Sequence, residues 1–261
     1  DYKLNGQTGG GYGTPTQEMV ESYEYAEEGG FPDWSAWHAE GVTDTPPYEE
    51  LEPRFQASIL YNGASWKDRT IESFVGGSDG FCVWNKEPEP QGRTTTGYYL
   101  RKRVDESHDV INENGSVQPV TIIRLGEVLL NKAEACYRLN DGANAAVKAI
   151  RDRVGLPYQD KAGENLWKAI RQERKVELAY EGQWYWDLRR WKVAHEQYPT
   201  GLNGYQVHGL RIEQQPNGDF VYNYVSVDDK DRNFPERMYR FPLPSGELSS
   251  NAAVSQYPEW K

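Results

Sequence analysis

The sequence predicts a mainly α-helical protein with long loops, in which one helical hairpin is packed by a loop-rich region and a small β-hairpin. Three observations carry this. Apolar residues recur at helical spacing through residues 121–192. Residues 1–120 are instead rich in Gly, Pro, Thr, Asp and Asn, the residues that punctuate turns. In the tail, 193–261, the segments GLRIEQ and FVYNYVSV flank Pro216-Asn217-Gly218-Asp219, a turn between two alternating strands. The three blocks are read as parts of one domain: a ligand-facing region, a helical scaffold, and a hairpin with its tail.

In chain order, Thr16 is placed to cap a short helix over Gln17–Tyr25, with Glu18 in its first turn. RFQASILY, 54–61, carries Phe55, Ile59 and Leu60 and suits a helix or a strand equally. GGGYGTPT (9–16), TDTPPYEE (43–50) and NKEPEPQGRTTTG (85–97) read as turns and loops. Thr121 is placed to cap a helix running to Leu139, whose apolar face gathers Leu125, Val128, Leu129, Ala133 and Cys136. Asn140–Gly142 ends it. A second helix over Ala143–Val154 presents Ala143, Ala146, Val147 and Ile150, and Gly155 and Pro157 close it. The pair has the small–large pattern of a tetratricopeptide-like hairpin. One clear copy is present, and such units need neighbours to bury their faces, so it must pack on something else. A third helix is expected over Gly163–Tyr180 and a fourth over Gln183–Lys192.

Composition removes several classes. A chain of 261 residues can bury a sizeable core. It has 29 Lys and Arg against 40 Asp and Glu, a net charge of −11, which repels phosphate backbones and argues against nucleic acid as a partner. No run of ~18 apolar residues occurs, so no transmembrane helix is expected. The sequence opens at Asp1 without Met or a basic-then-apolar leader. Any targeting segment is expected to have been removed or to lie outside this sequence. Cys82 and Cys136 are too few for a disulfide-dense scaffold and leave one bridge between them open.

For catalysis, Glu173, Glu177 and Glu181 stand at i, i+4 and i+8 on the third helix. Such residues lie about 6 Å apart, within the ~5–10 Å that a pair of glycosidase carboxylates needs. Arg171, Arg174, Arg189 and Arg190 crowd the same stretch, and ion pairs would keep the carboxylates ionised. The expectation is therefore a structural ion-pair network and no catalytic residue. His38, His108, His195 and His208 are scattered without metal-ligand spacing, so no metal site is expected. DDKDRN (228–233) lacks the calcium-loop pattern and reads as a solvated acidic loop. GGGYG (9–13) is not followed by Lys-Ser/Thr, and no G-x-S-x-G occurs, so no cofactor is expected. Asn114-Gly115-Ser116 fits a glycosylation acceptor, a triplet common by chance.

Aromatics are the informative class. The chain holds 9 Trp and 18 Tyr against 7 Phe. Rings with a polar handle suit half-wet surfaces, although they also serve to pin loops. Trp34 and Trp37 are three apart and share a face if that turn is helical. Trp66 and Trp84 sit in polar loops beside Asn62, Lys67, Asp68 and Asn85. A sugar's C–H face stacks on such a ring while neighbouring polar groups take its hydroxyls. The candidate ligand-binding residues are therefore Trp34, Trp37, Asn62, Trp66, Asp68 and Trp84, with packing of the rings as the plain alternative.

Six stretches together resemble the SusD/RagB family. They are TIIRLGEVLLNKAEACYRLND (121–141), AIRDRVGLP (149–157), IRQERKVELAYEGQWYWDLRRW (170–191), EPRFQASILYNGASW (52–66) with TTTGYYLRK (94–102), and the closing YRFPLPSGELSSNAAVSQYP (239–258). PTQEMVESYE (15–24) is a further match in the family's order. Departures from the family pattern are Trp184 in place of a basic residue, Gly126 in place of Ala at a helix cost of about 1 kcal/mol, and Tyr257-Pro258-Glu259 in place of Asn-Pro-Gly.

The resemblance implies a non-catalytic, surface-exposed outer-membrane lipoprotein of Bacteroidetes-type bacteria. It would capture oligosaccharide, or peptide in the RagB branch, for a SusC-like TonB-dependent transporter. It further implies a ligand site built from aromatic-bearing loops, with the signature helices as scaffold. The chain matches the C-terminal half of the family's length. An N-terminal portion of the same protein, bearing the lipid anchor and further tetratricopeptide helices, is expected as a partner of this half. The rival readings are a helical-barrel glycoside hydrolase and a tetratricopeptide scaffold for a protein partner.

Overall fold

The computed structural model describes residues 2–4, 7–9, 13–82, 93–109, 115–199, 205–228 and 230–261. Trp84, Asn114, Asp229 and residues 10–12 of the glycine-rich loop lie outside the described residues. The fold is mainly helical with small two-stranded sheets. It forms two compact units, residues 1–181 with 207–228 and residues 182–206 with 229–261. These units cut across the three sequence blocks, because the tail's β-hairpin belongs to the first unit and the fourth helix to the second.

The first unit begins with β1 (Tyr2–Leu4) paired to β2 (Gln7–Gly9), followed by α1 (Gln17–Val20). The helix expected to reach Tyr25 stops early, and the Thr16 side chain makes no cap bond. The backbone leaves it to pair elsewhere: Tyr25 bridges Leu51, and the Glu52 N–H donates to the Glu24 carbonyl at 2.9 Å. The ambiguous segment proves to be both things. α2 (Pro53–Ser58) has Pro at its start, where no N–H is needed, and β3 (Ile59–Leu60) follows directly. β3 pairs with β6 (Tyr99–Leu100), and β4 (Ser65–Trp66) with β5 (Arg69–Thr70). Val20, Tyr23, Trp34, Tyr48, Phe55 and Ile59 form the principal core here with Tyr98 and Val176.

The helical hairpin is α3 (Leu125–Leu139) and α4 (Ala143–Arg153), packed on α5 (Gly163–Glu177). Asn140, left-handed at φ 55°, ends α3, and the Asp141 N–H returns to the Cys136 carbonyl at 2.8 Å. α3 starts four residues later than Thr121, because Arg124 is extended and sends its guanidinium to the end of α5. Of the expected apolar face only Ala133 is fully buried, Leu129 and Cys136 are half-buried, and Leu125 is 71% and Val128 49% exposed; Leu130, outside that face, is the residue the helix buries instead. Val117, Val120, Ile122 and Ile123 continue this exposed strip. α5 ends three residues before Tyr180, which is left-handed at φ 62°. β7 (His208–Gln214) and β8 (Phe220–Ser226) form the expected antiparallel hairpin, with Gly218 at φ 92° in its turn. Cys82 and Cys136 are free thiols, so the bridge left open does not form.

In the second unit, α6 (Trp184–Arg190) and α7 (Ala194–Gln197) gather Leu188, Ala194 and Phe234 into a small core. Arg189 donates to the carbonyls of Met238 and Tyr239, and α8 (Ser245–Ser250) follows. No helix among the described residues is long and apolar enough to cross a membrane.

Candidate ligand-binding site

The carboxylate ladder is a largely buried ion-pair network whose outer partners, Arg153 above all, reach solvent. The Arg54 and Arg151 guanidiniums donate to Glu173 at 2.8 and 2.5 Å. Glu177 takes Arg124 at 2.6 Å, Arg153 at 2.8 Å and Arg54 at 3.3 Å. Glu181 takes Lys102 at 2.6 Å and Arg124 at 2.7 Å. The ion pairs were expected, but these basic partners come from distant segments. Of the expected ones, Arg174 reaches Asn131, Arg190 pairs with Asp187, and Arg189 is occupied in the second unit. Burial would push the Glu177 and Glu181 carboxyls up. The hydrogen bonds and charges of their basic partners outweigh it and hold both below the usual range. Burial does push the Glu52 carboxyl up, against the Arg54 charge, and Glu52 is 1% exposed.

The aromatic candidates divide. Residues 34–37 form a 3-10 turn that Asp33 starts by accepting the Ser35 N–H at 3.0 Å. Trp34 and Trp37 then lie edge to face, 5.5 Å between ring centroids. Trp34 points inward into the principal core and is 5% exposed, so its ring face is not open to a sugar. Trp37 stays half-buried at the rim. Its indole N–H donates to the Asp44 carbonyl at 2.9 Å, which fixes the ring plane. Trp66 is a core residue too, 3% exposed among Leu60, Ala64, Ile71 and Tyr99. Lys67 and Asp68 are the two residues linking β4 to β5, left-handed at φ 45° and 61°, a turn geometry that suits Asp. Lys67 Nζ donates to the His108 carbonyl at 2.7 Å. The polar setting of Trp66 in sequence is thus that of a hairpin tip, while the ring itself packs inward.

Trp37 and Asn62, both singled out from sequence, do come together. They line one hollow of about 560 Å³ with Pro46, Pro47, Tyr48 and Tyr61, edged by Asp44, Glu49 and Glu50. Tyr48 and Tyr61 lie 4.5 Å apart, and Tyr48 runs parallel to Phe55 at 5.8 Å, so the wall rests on the core. The Gln56 amide donates to the Tyr48 carbonyl at 2.6 Å. Asn62 Oδ1 accepts the Ser73 N–H at 3.1 Å; among the described residues only this end of the amide is engaged, and its NH2 is left for hydroxyls. Sequence reasoning missed Tyr61 and the Pro46–Pro47 wall. The signal for Tyr61 was its place beside Asn62.

Behind the turn, His208 stacks on the Tyr224 ring at 4.4 Å and His38 lies tilted against it at 4.5 Å. His38 bonds Glu21 at 2.6 Å and His208 bonds Glu18 at 2.7 Å, which ties the Trp37 turn to α1 and to the β-hairpin. A larger hollow, about 740 Å³, lies between α4, α5 and Phe31. Its floor is the mutually satisfied Arg151, Glu24 and Glu173, and it carries no indole, whereas the smaller hollow has an indole and an open amide. Among the described residues no group of three His, Cys, Asp or Glu is placed to hold a metal ion.

Comparison with known proteins agrees with this architecture. The model of the SusD family matches residues 2–260. SusD-like protein P2 of Formosa agariphila is 32% identical over 142 residues, which is 50% of this chain and 23% of that protein. A solved SusD-like protein of Bacteroides fragilis aligns at 27% identity and TM-score 0.68, over 94% of this chain and 46% of its own. A solved SusD-like carbohydrate-binding protein of the same species aligns at 26% and 0.67, over 92% and 48%. The chain therefore spans about half the length of these solved structures.

Proposed function

The chain belongs to the SusD family, and from that premise we propose that it captures oligosaccharide without catalysis, at the hollow beside Trp37. The observation that carries this reading is the half-buried Trp37 indole, fixed in plane by Asp44 and facing the same hollow as the Asn62 amide. An aromatic face takes the C–H side of a pyranose, and an amide takes its hydroxyls. The relative described as carbohydrate-binding supports the ligand class. The ion-paired ladder supports the absence of glycosidase chemistry, since neither Glu177 nor Glu181 can serve as a raised-pKa acid.

The wider reading follows the family. The protein sits at the outer-membrane surface, is held there by a lipid anchor outside this sequence, and passes glycan to a SusC-like TonB-dependent transporter. The exposed strip from Val117 to Val128 is covered by a further portion of the same protein. A glycan array on the full-length protein tests the proposal. Saccharide binding lost in Trp37→Ala is expected. Binding of peptides with no saccharide response would overturn it and favour the peptide-binding branch.

A further inference from the structure

In the first unit, the hollow beside Trp37 is edged by acidic side chains and by no basic one among the described residues. Elsewhere in that unit inward-facing carboxylates are matched by Arg or Lys, as Glu24, Glu173, Glu177, Glu181 and Asp79 show. Asp44, Glu49 and Glu50 edge the hollow with exposed side chains, and among the described residues no ion pair neutralises any of them. Among the described residues no group of three there is placed to hold a metal ion, and the negative charge is left facing whatever enters.

We propose that this hollow selects its saccharide by charge, taking uncharged or amino-bearing sugars across the Trp37 ring and rejecting sulfated or uronic-acid sugars. The inference rests on the reading that Trp37 and Asn62 bind saccharide, and adds the class of sugar to it. The physical reason is direct. An anionic group brought among three unpaired carboxylates meets like charge, and a concave wall screens it less than open solvent would. A protonated amine meets attraction instead. Neutral hydroxyls gain from carboxylate acceptors, which take charge-assisted hydrogen bonds. Both charge effects fade as salt rises past the point where the Debye length falls below about 8 Å.

The full-length protein is applied to an array of neutral, amino, uronic-acid and sulfated oligosaccharides at low and high salt. Wild type, Trp37→Ala and Glu49→Gln/Glu50→Gln are compared. Both glutamates are exposed and unpaired, so their replacement leaves the fold intact. The glycans that bind wild type through Trp37 are expected to be neutral or amino sugars, with amino-sugar binding weakening several-fold as salt rises. The double variant is expected to raise the ratio of anionic to neutral binding about tenfold. Trp37-dependent binding of a sulfated or uronic-acid glycan as tight as that of any neutral one overturns the charge selection and leaves the saccharide reading standing. Absence of any Trp37-dependent glycan signal overturns both.

Discussion

Arg54 and Glu173 stand 119 residues apart in the chain, yet the Arg54 Nη1 donates to the Glu173 Oε2 across 2.8 Å. Arg54 is also bonded to Glu52 at 2.5 Å and to Glu177 at 3.3 Å, with its side chain almost wholly buried. Removing one partner of such a set leaves an uncompensated charge in low dielectric, at about 3–5 kcal/mol. Glu177→Ala and Arg54→Ala are therefore expected to lower the unfolding free energy by that amount in denaturant titrations. Glycan affinity measured below the melt should be retained. A variant with an unchanged melt and lost binding would move the ladder from scaffold to site.

Gly126 gives a test of sign. Glycine in a helix costs about 1 kcal/mol relative to alanine, so propensity alone makes Gly126→Ala stabilising. The structure reverses this. A methyl there would lie 2.5 Å from Arg124 Nη1 and 2.8 Å from Glu177 Oε1. Arg124 cannot swing away, because Glu177 and Glu181 hold it by several bonds. Gly126→Ala is expected to destabilise by about 1–3 kcal/mol, the cost of overpacking. A raised melting temperature would show that the guanidinium has room to move.

The acid limb of stability follows from the ladder. Glu24, Asp79, Glu177 and Glu181 all sit below their ordinary values; burial works against this in each, and Arg or Lys bonds prevail. Their stability is fully present above the unfolded carboxyl range, near 4.5 for Glu, and is lost as pH falls through the lower folded values. Glu52 has the opposite sign, since burial raises it, and its contribution declines as pH rises above 4.5. Thermal melts from pH 7 downward should fall below about pH 4.5. At pH 7, Glu52→Gln should cost less than Glu177→Gln, and the two should converge in acid. Equal costs at every pH would remove this account.

Two tryptophans separate core from site. Trp66→Ala should cost about 3–5 kcal/mol of stability, as for other buried aromatics, with glycan affinity measured below the melt little changed. Trp37→Ala should do the reverse, removing most of the affinity while shifting the melt by less. Calorimetric titration and thermal melts on both variants read this directly. Loss of binding in Trp66→Ala alone would place the ligand at the β4–β5 hairpin instead.

The exposed strip on the hairpin predicts behaviour in isolation. Val117 is 99% exposed, Ile122 85% and Leu125 71%. Contiguous apolar surface of this kind drives association. Residues 1–261 expressed alone should self-associate or fold poorly, and Ile122→Lys with Ile123→Lys should raise the monomer fraction in sedimentation. A sharp, reversible two-state melt of the unmodified monomer would contradict this.

How much could be read from sequence depended on how local each feature is. α3, α4 and the β7–β8 hairpin are set by periodicity and by turns within a few residues, and all three appear within a few residues of expectation. α1 failed because its last turn was displaced by backbone pairing to Leu51 and Glu52, which no local pattern shows. The ladder was legible as charged, but Arg54, Lys102 and Arg151 reach it only through the tertiary fold. For the indoles, polar neighbours in sequence do not tell an exposed ring from one whose neighbours make a turn, as Trp66 shows. Trp37 and Asn62, 25 residues apart in sequence, line one hollow for the same tertiary reason.

The reach of the ladder also governs how the first unit assembles. Its charges are supplied by residues 24, 52–54, 102, 124, 151–153 and 173–181. The most buried of these charges, Glu52, Arg54, Arg151, Glu173 and Glu177, cannot leave water until their partners arrive, because a lone buried ion costs several kcal/mol. Half-assembled forms are therefore penalised more heavily than an apolar core of the same shape would penalise them. The unit gains all-or-none cooperativity from this, and a protease meets either the closed structure or the open chain, with little between.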